Sequence, residues 1–350
     1  MYQYFTNKME IFVHPASSPN LQSALKSALP HSINLVYRTQ HPNRTQYADV
    51  LATFSPEETT VPRCWAAAYF DRSMRPETEA WIFSAFEMPN HSSNYYCADC
   101  EKAVLSLLDY FSKSPIPPIR PDNQYAMDLA YQHEKEHPTT GPNGQYPHSR
   151  GMYMRHLLEP KVLLVGACHA KVVQIFRDKG MMRNELPGGN AQLSKFVFKL
   201  SDLPTTRELP EELRWGEMRE QDIDTVKSRT AIPRTTSTLL SLRSVGVFEK
   251  ESVIPVAWTF LGLDGSLTTL HTEPQYRGMG IAKAVAAKII REYAPGIAVD
   301  DEGNAWCHAD VYHGNIASES VCDSLGGEAL WTDYWVRIDL GKAGSLANGA

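Results

Sequence analysis

One short segment carries residues of the kind that hold a charged ligand: Gln275-Tyr276-Arg277-Gly278-Met279-Gly280. It stands between a run that reads as a strand and one that reads as a helix. Glycines at 278 and 280 let the backbone come close to a ligand and adopt conformations closed to other residues. The first amides of the following helix then face outward, with the positive end of the helix dipole behind them. Arg277 adds a full charge. Such a device suits a diphosphate. Two glycines in isolation read equally well as a tightly packed helix start. The dinucleotide-binding fingerprint needs a third glycine where this chain has Lys283.

Six cysteines are spread over the 350 residues: Cys64, Cys97, Cys100, Cys168, Cys307 and Cys322. Without an export signal they read as free thiols. Cys97-Ala98-Asp99-Cys100 is a Cys-x-x-Cys with no second ligand pair at the usual zinc spacing, so no metal is expected. The net charge of −6 gives no footprint for nucleic acid or an anionic membrane. No run approaches the ~18 apolar residues of a membrane span. The opening residues 1–8 lack the basic-then-apolar order of a secretory signal, and a cytoplasmic protein is expected. At 43% hydrophobic and 21% charged, the chain has the composition of a globular protein, and its 350 residues are enough for two domains of ordinary size.

The elements that position the turn follow from periodicity. In the first half, Leu21, Leu25, Ala28 and Leu29 mark a helix ending at Pro30, and residues 33–37 read as extended. Residues 65–70 and 81–86 read as aromatic-rich strands, and 97–111 as a helix through Val104, Leu105, Leu108 and Phe111. Residues 114–150 are rich in Pro and Gly and read as loop, with a short helix near 126–134. A strand at 161–165, a helix at 169–179 and a strand at 196–200 follow. In the second half a strand (213–218), helices (220–229 and 237–244) and strands (245–248 and 253–261) precede Asp264-Gly265, a hairpin signal. The returning strand spans 266–271. The helix after the turn runs to Tyr293 with Ile281, Val285 and Ile289 on one face. A strand (305–312), a helix (316–325) and a closing strand or hairpin (329–340) complete it, and 341–350 reads as a frayed tail.

This order of elements, with Gln-x-x-Gly-x-Gly at 275–280, resembles the GNAT superfamily of acyl-CoA-dependent N-acyltransferases. Within it the chain is most similar to the glycine N-acyltransferase-like (FR47-like) branch, through three segments. These are Pro255-Val256-Ala257-Trp258 leading to Glu273-Pro274-Gln275-Tyr276-Arg277, Phe198-Lys199-Leu200-Ser201, and the Leu21…Leu25…Leu29-Pro30 pattern. The resemblance implies an α+β GNAT fold, a mixed and mainly antiparallel sheet flanked by helices, over 201–340. A degenerate GNAT-like domain without a phosphate turn would precede it over 1–200. It implies acetyl-CoA or another acyl-CoA as co-substrate, no metal, a small-molecule amine or amino acid as acceptor, and a monomer or homodimer. Leu270, His271 and Thr272 would pair with the pantetheine arm. Gln275, Arg277, Gly278, Met279, Gly280 and Ile281 would hold the pyrophosphate, with Asn315 and Ser318 near the thiol end. Asn315 reads equally as the N-cap of the helix after it.

Acyl transfer to an amine needs a base for the amine, donors for the oxyanion and an acid for the leaving thiolate. The branch's glutamate base falls on Ser266, and the superfamily's tyrosine acid falls on Cys322. A serine is no base at neutral pH unaided, and a buried inert thiol is the ordinary fate of such a cysteine. His271, Glu273, Asp310, Tyr312 and His313 are the replacements on offer. His271 leads for a proton near neutrality, while Tyr312 and His313 lie at the mouth of the fifth strand. Trp258, Trp306, Trp331 and Trp335 read as core or as acceptor-pocket walls. The altered positions leave two further readings open: a fold recruited to chemistry without acyl transfer in secondary metabolism, and a non-catalytic acyl-CoA-binding module.

Overall fold

The structure, a computed structural model, describes residues 8–91, 97–230, 232 and 234–347; the opening segment judged for a leader lies outside them up to residue 7. Two compact units form. The first takes the described residues of Met1–Leu35, Arg44–Gln192 and Asp333–Ala350, the second Val36–Asn43 and Leu193–Thr332. Among the described residues no helix is long and apolar enough to cross a membrane.

Up to residue 192 the elements are β1 (Phe12–His14), α1 (Pro19–Ser27), α2 (Ile33–Gln40), β2 (Asp49–Ala52), β3 (Ala66–Phe70) and β4 (Ala80–Ser84). They continue with α3 (Ala98–Lys113), α4 (Gln124–Glu136), α5 (Arg150–Met154), β5 (Val162–His169) and α6 (Ala170–Asp178). β1 to β4 form an antiparallel meander, and β5 lies parallel to β4 with Ala80 opposite Val165. Arg72 fixes this junction from within the core. Its Nε donates to Glu79 Oε2 at 2.9 Å and its Nη2 to the Val162 carbonyl at 2.8 Å. Glu79 Oε1 in turn accepts from the Leu164 amide at 3.1 Å, so both charges are partnered. α3 buries Val104, Leu107, Leu108 and Phe111, and Phe111 stacks on Phe70 at 4.2 Å between ring centroids. Each such side chain contributes about 1.5–3 kcal/mol.

From Leu193 come β6 (Leu193–Lys199), β7 (Leu213–Gly216), α7 (Ile223–Ser228), α8 (Thr236–Ser241), β8 (Arg243–Glu249), β9 (Pro255–Leu261) and β10 (Leu267–Thr272). Then follow α9 (Ile281–Tyr293), β11 (Trp306–Tyr312), α10 (Ile316–Ser324), β12 (Glu328–Asp339) and α11 (Ala343–Ala347). β7 to β10 are antiparallel, and β11 pairs antiparallel with β6 over its whole length. β10 and β11 share one parallel bridge, between Ser266 and His308. α9 buries Ile281, Ala284, Val285, Ala286, Ala287, Ile289 and Ile290; the alanines let it lie close on the sheet. From Asp333 onward β12 belongs to the first unit, antiparallel to β5 with Asp333 opposite His169. Each unit thus shows four successive antiparallel strands, a helix and a strand parallel to the fourth, to which a further strand pairs antiparallel: β12 from the chain's end in the first unit, β6 from ahead of β7 in the second. The fold is the mixed α+β arrangement expected.

Several local expectations change. Residues 33–37 are helical, not extended: Ile33, Val36 and Tyr37 are buried at helical spacing on α2. The helix expected at 220–229 is split into a 3-10 turn (Glu220–Asp222) and α7. Of the two alternatives for 329–340, strand or hairpin, the chain takes the strand, β12. Beyond Gly341 the chain makes a helical turn, α11, and buries Ala343; residues 348–350 lie outside the described part.

Candidate active site

The second unit places the Gln275–Gly280 stretch of sequence between β10 and α9. A 3-10 turn (Pro274–Tyr276) leads into it, and both glycines are left-handed, Gly278 at φ 77° and Gly280 at φ 79°. Gly280 is the N-cap of α9, which has no side-chain cap and no acidic residue in its first turn. The positive end of the helix is therefore unopposed by the chain itself. Among the described residues, a Cβ added at Gly278 or Gly280 would meet nothing within 4 Å, so the space beside both glycines is open. Arg277 Nε donates to the Thr272 carbonyl at 3.0 Å, which moors the guanidinium at the end of β10.

β10 is an edge strand of its four-stranded sheet. Its pairing with β9 slips in the middle, so that Thr269 and Leu270 together oppose Thr259, and Thr269 takes φ 52°. A positive φ at a β-branched residue is strained, and bulges of this kind re-aim backbone groups beside sites. Leu270 thus stands in the bulge, His271 resumes pairing opposite Trp258, and Thr272 is buried at the strand's end. Among the described residues the parallel ladder stops beyond the single Ser266–His308 bridge, and no further strand pairs with the outer edge of β10.

His271 lies flat on Trp258, with ring centroids 4.7 Å apart and planes at 26°. Its Nε2 stands 3.6 Å from Glu273 Oε2, while Glu273 Oε1 accepts from Arg229 Nε at 3.0 Å. Burial lowers the His271 pKa below the ordinary 6.5; Glu273 opposes the shift, and Arg277 and Arg229 add to it. The imidazole is neutral at pH 7, the form that accepts a proton. Trp258 is buried in the core, and its ring supports His271. Trp306 donates to Asp300 Oδ2 at 2.8 Å, and in the first unit Trp335 donates to Thr78 Oγ1 at 3.1 Å.

The remaining candidates have separate surroundings. Ser266 closes the hairpin: its Oγ donates to Asp264 Oδ1 at 2.7 Å. Gly265, at φ 82°, lies against the Tyr37 ring, where a Cβ would come within 2.2 Å. Cys322 is buried on α10; burial, then Asp323, Asp310 and Glu319, push its thiol up to about 12. A thiol held there gives up no proton to a thiolate of ordinary pKa, about 8.5. Tyr312 and His313 are exposed at the end of β11. Asn315 caps α10, its Oδ1 accepting from the Ser318 amide at 3.3 Å.

Three residues not singled out in the sequence reading, or only weakly, form a buried polar core beside the hairpin. His308 Nε2 donates to the Asp264 carbonyl at 2.8 Å. Lys195 Nζ donates to His308 Nδ1 at 3.3 Å and is ion-paired to Asp310 Oδ1 at 2.5 Å. Burial alone would raise the Asp310 carboxyl, but Lys195 and then His308 hold it below the usual carboxylate range. The signal in the sequence was alternation: His308, Asp310 and Tyr312 are two apart on one strand and share a face. Lys195 sits directly opposite Asp310 on β6.

In sequence, residues 8–196, more than half of the chain, match the family described as the acyl-CoA N-acyltransferase verG N-terminal domain, and residues 244–336 match the FR47-like protein family. No curated protein matches the chain. Among solved structures, the chain is similar to a Drosophila protein at 12% identity and TM-score 0.57, over 94% of this chain and 98% of that one. It is also similar to a GCN5-related N-acetyltransferase from Sphaerobacter thermophilus, at 11% identity, TM-score 0.46, 95% of this chain and 96% of that one. A tandem GNAT protein of the clavulanic acid biosynthesis pathway matches at 11% identity and TM-score 0.41, over 94% and 97%. With the family of its N-terminal half shown, the chain belongs to the acyl-CoA N-acyltransferases of the GNAT superfamily, in the FR47-like branch.

Proposed function

We propose that this protein transfers an acyl group from acyl-CoA to the amine of a small molecule or amino acid. One observation carries the reading: an uncapped helix N-terminus behind two left-handed glycines, continuous with a bulged edge strand. The amides of Arg277, Gly278, Met279, Gly280 and Ile281 hold the pyrophosphate, with Gln275 and Arg277 beside it. The backbone of Leu270, His271 and Thr272 pairs with the pantetheine arm as an added strand would. Asn315 Nδ2, left over once Oδ1 caps α10, and Ser318 lie toward the thiol end.

His271 serves as base. The neutral amine attacks the thioester carbonyl carbon, the C–N bond forms, and the C–S bond breaks. The proton of the resulting ammonium passes to His271 Nε2, and the departing thiolate takes a proton from water. A backbone amide at the β10 bulge would serve the developing oxyanion, where a preorganised donor acts most strongly. Glu273, itself held by Arg229, steadies the imidazolium. Ser266 has no part as a base, because its hydroxyl is committed to Asp264.

The test incubates the full-length chain with acetyl-CoA and longer acyl-CoAs against a panel of amines and amino acids. Mass spectrometry follows acylated product and free CoA together. One CoA released per acylated amine supports the reading. CoA binding with no product from any amine points to a recruited or non-catalytic fold, and absence of CoA binding sinks the reading altogether.

A further inference from the structure

The first unit gathers three thiols and an imidazole that lie far apart in sequence. Cys97 is the N-cap of α3 and Cys100 sits in its first turn. Cys64 stands two residues ahead of β3, and His91 follows the 3-10 turn (Ala85–Glu87) after β4. One ligand atom from each lies within 4.8 Å of every other. Cys64 Sγ is 3.6 Å from Cys97 Sγ and 3.6 Å from His91 Nε2, and Cys100 Sγ is 3.2 Å from the same nitrogen.

These three spacings lie close to the edges of a tetrahedral site, and the rest fall within 4.8 Å. With zinc–sulfur bonds of about 2.3 Å and zinc–nitrogen bonds of about 2.0–2.1 Å, the edges come to about 3.8 Å between sulfurs and about 3.6 Å from sulfur to nitrogen. A disulfide needs sulfurs about 2.05 Å apart, and all four cysteines of this unit are free thiols. The lone Cys-x-x-Cys of the sequence has a second ligand pair after all, supplied by Cys64 and His91.

We propose that Cys64, His91, Cys97 and Cys100 bind one zinc ion in a closed Cys3His site. Four protein ligands leave no open position, so the site is structural and not catalytic. Cys100 and His91 are buried while Cys64 and Cys97 are partly exposed, which gives the ion a way in. Binding converts three thiols to thiolates and releases three protons to solvent, with no change of oxidation state. The centre so formed carries one net negative charge. Arg63, whose Nη2 donates to the His91 carbonyl at 2.7 Å, supplies a cation beside it.

The location gives the site a meaning. In the second unit, the link from the fourth strand to the following helix is the glycine turn. In the first unit the same link, from β4 to α3, carries His91 and Cys97, and Cys100 follows in the first turn of α3. Where one repeat offers bare amides to an anion, the other ties its helix start to the loop before β3 through a metal. The degenerate half has a staple in place of a ligand turn.

The experiment uses untagged full-length protein purified under reducing conditions without chelator. Elemental analysis should find about one zinc per chain. Exchange for cobalt(II) should give tetrahedral visible bands and an intense thiolate-to-cobalt charge-transfer band. Cys64→Ser should lower zinc affinity by more than about tenfold, the least that loss of even an outer-shell partner costs. Cys322→Ser, in the second unit, should leave zinc content unchanged. Should Cys100→Ser fail to fold, Cys64→Ser and the wild-type cobalt titration still decide. A folded, reduced wild type that holds neither zinc nor a cobalt–thiolate chromophore overturns the proposal, as does zinc retained in full by Cys64→Ser.

Discussion

Gly280→Ala separates the ligand role of the turn from its structural role. Gly280 sits at φ 79°, where an alanine costs about 1–2 kcal/mol. Among the described residues nothing lies within 4 Å of the added methyl, so no steric cost is added. For a unit of this size that penalty lowers the melting temperature by roughly 2–8 °C. The methyl, however, stands in the open space beside the N-cap of α9. Losing one amide bond to a charged phosphate costs about 1.5–3 kcal/mol, a rise in Kd of about 10- to 150-fold. Gly296→Ala is the matched control: φ is 80°, the space around it is equally open, and it lies at the other end of the same helix. Isothermal titration with CoA, paired with thermal melts, reads both quantities. Gly296→Ala should lose stability alone, and Gly280→Ala stability and affinity together. If Gly280→Ala melts within the expected window and binds CoA with wild-type affinity, the turn does not hold the pyrophosphate.

Four further outcomes follow from the same geometry. His271→Gln should lower kcat/KM by about 10²–10⁴-fold with CoA affinity retained, as steady-state kinetics and titration would show. Because the His271 pKa lies below 6.5, wild-type activity should be flat above neutrality and fall as pH drops through that lowered value; a pH–rate profile of His271→Gln should lack this limb. Gly265→Ala should destabilise by about 1–3 kcal/mol from overpacking against Tyr37, with strain from its positive φ in addition, measured by denaturant melts. Lys195→Met should cost about 3–5 kcal/mol, because it strands the Asp310 charge in the core. Since the Asp310 pKa is depressed, the pair's contribution is fully present above about pH 4 and lost as pH falls below it. Melts of Lys195→Met across that range should therefore converge toward wild type in acid.

Much of this protein was legible in its residues. The strand–turn–helix around Gly278 and Gly280 is local: glycine spacing, the apolar stripe of α9 and the Asp264-Gly265 turn lie within a few tens of residues, where periodicity speaks directly. Residues 33–37 were misread for the opposite reason. Four apolar residues around a single asparagine fit a strand or a buried helix, and only the burial of Ile33, Leu35, Val36 and Tyr37, with Tyr37 against Gly265, decides for a helix.

The sequence by itself determined that a glycine turn of the kind that suits a diphosphate is present, which helix stands behind it, and that Ser266 and Cys322 fall where the resembled family keeps its base and acid. Tertiary structure decided what those replacements do. It tied Ser266 to Asp264, buried Cys322, and laid His271 on Trp258 within reach of Glu273. It also built the Lys195–His308–Asp310 core and brought Cys64 and His91 to Cys97 and Cys100. Electrostatic and ligand partnerships act through space at 3–4 Å, and chain separation does not encode that distance. Local backbone geometry is written in neighbouring residues; the company a side chain keeps is settled only when the strands are paired.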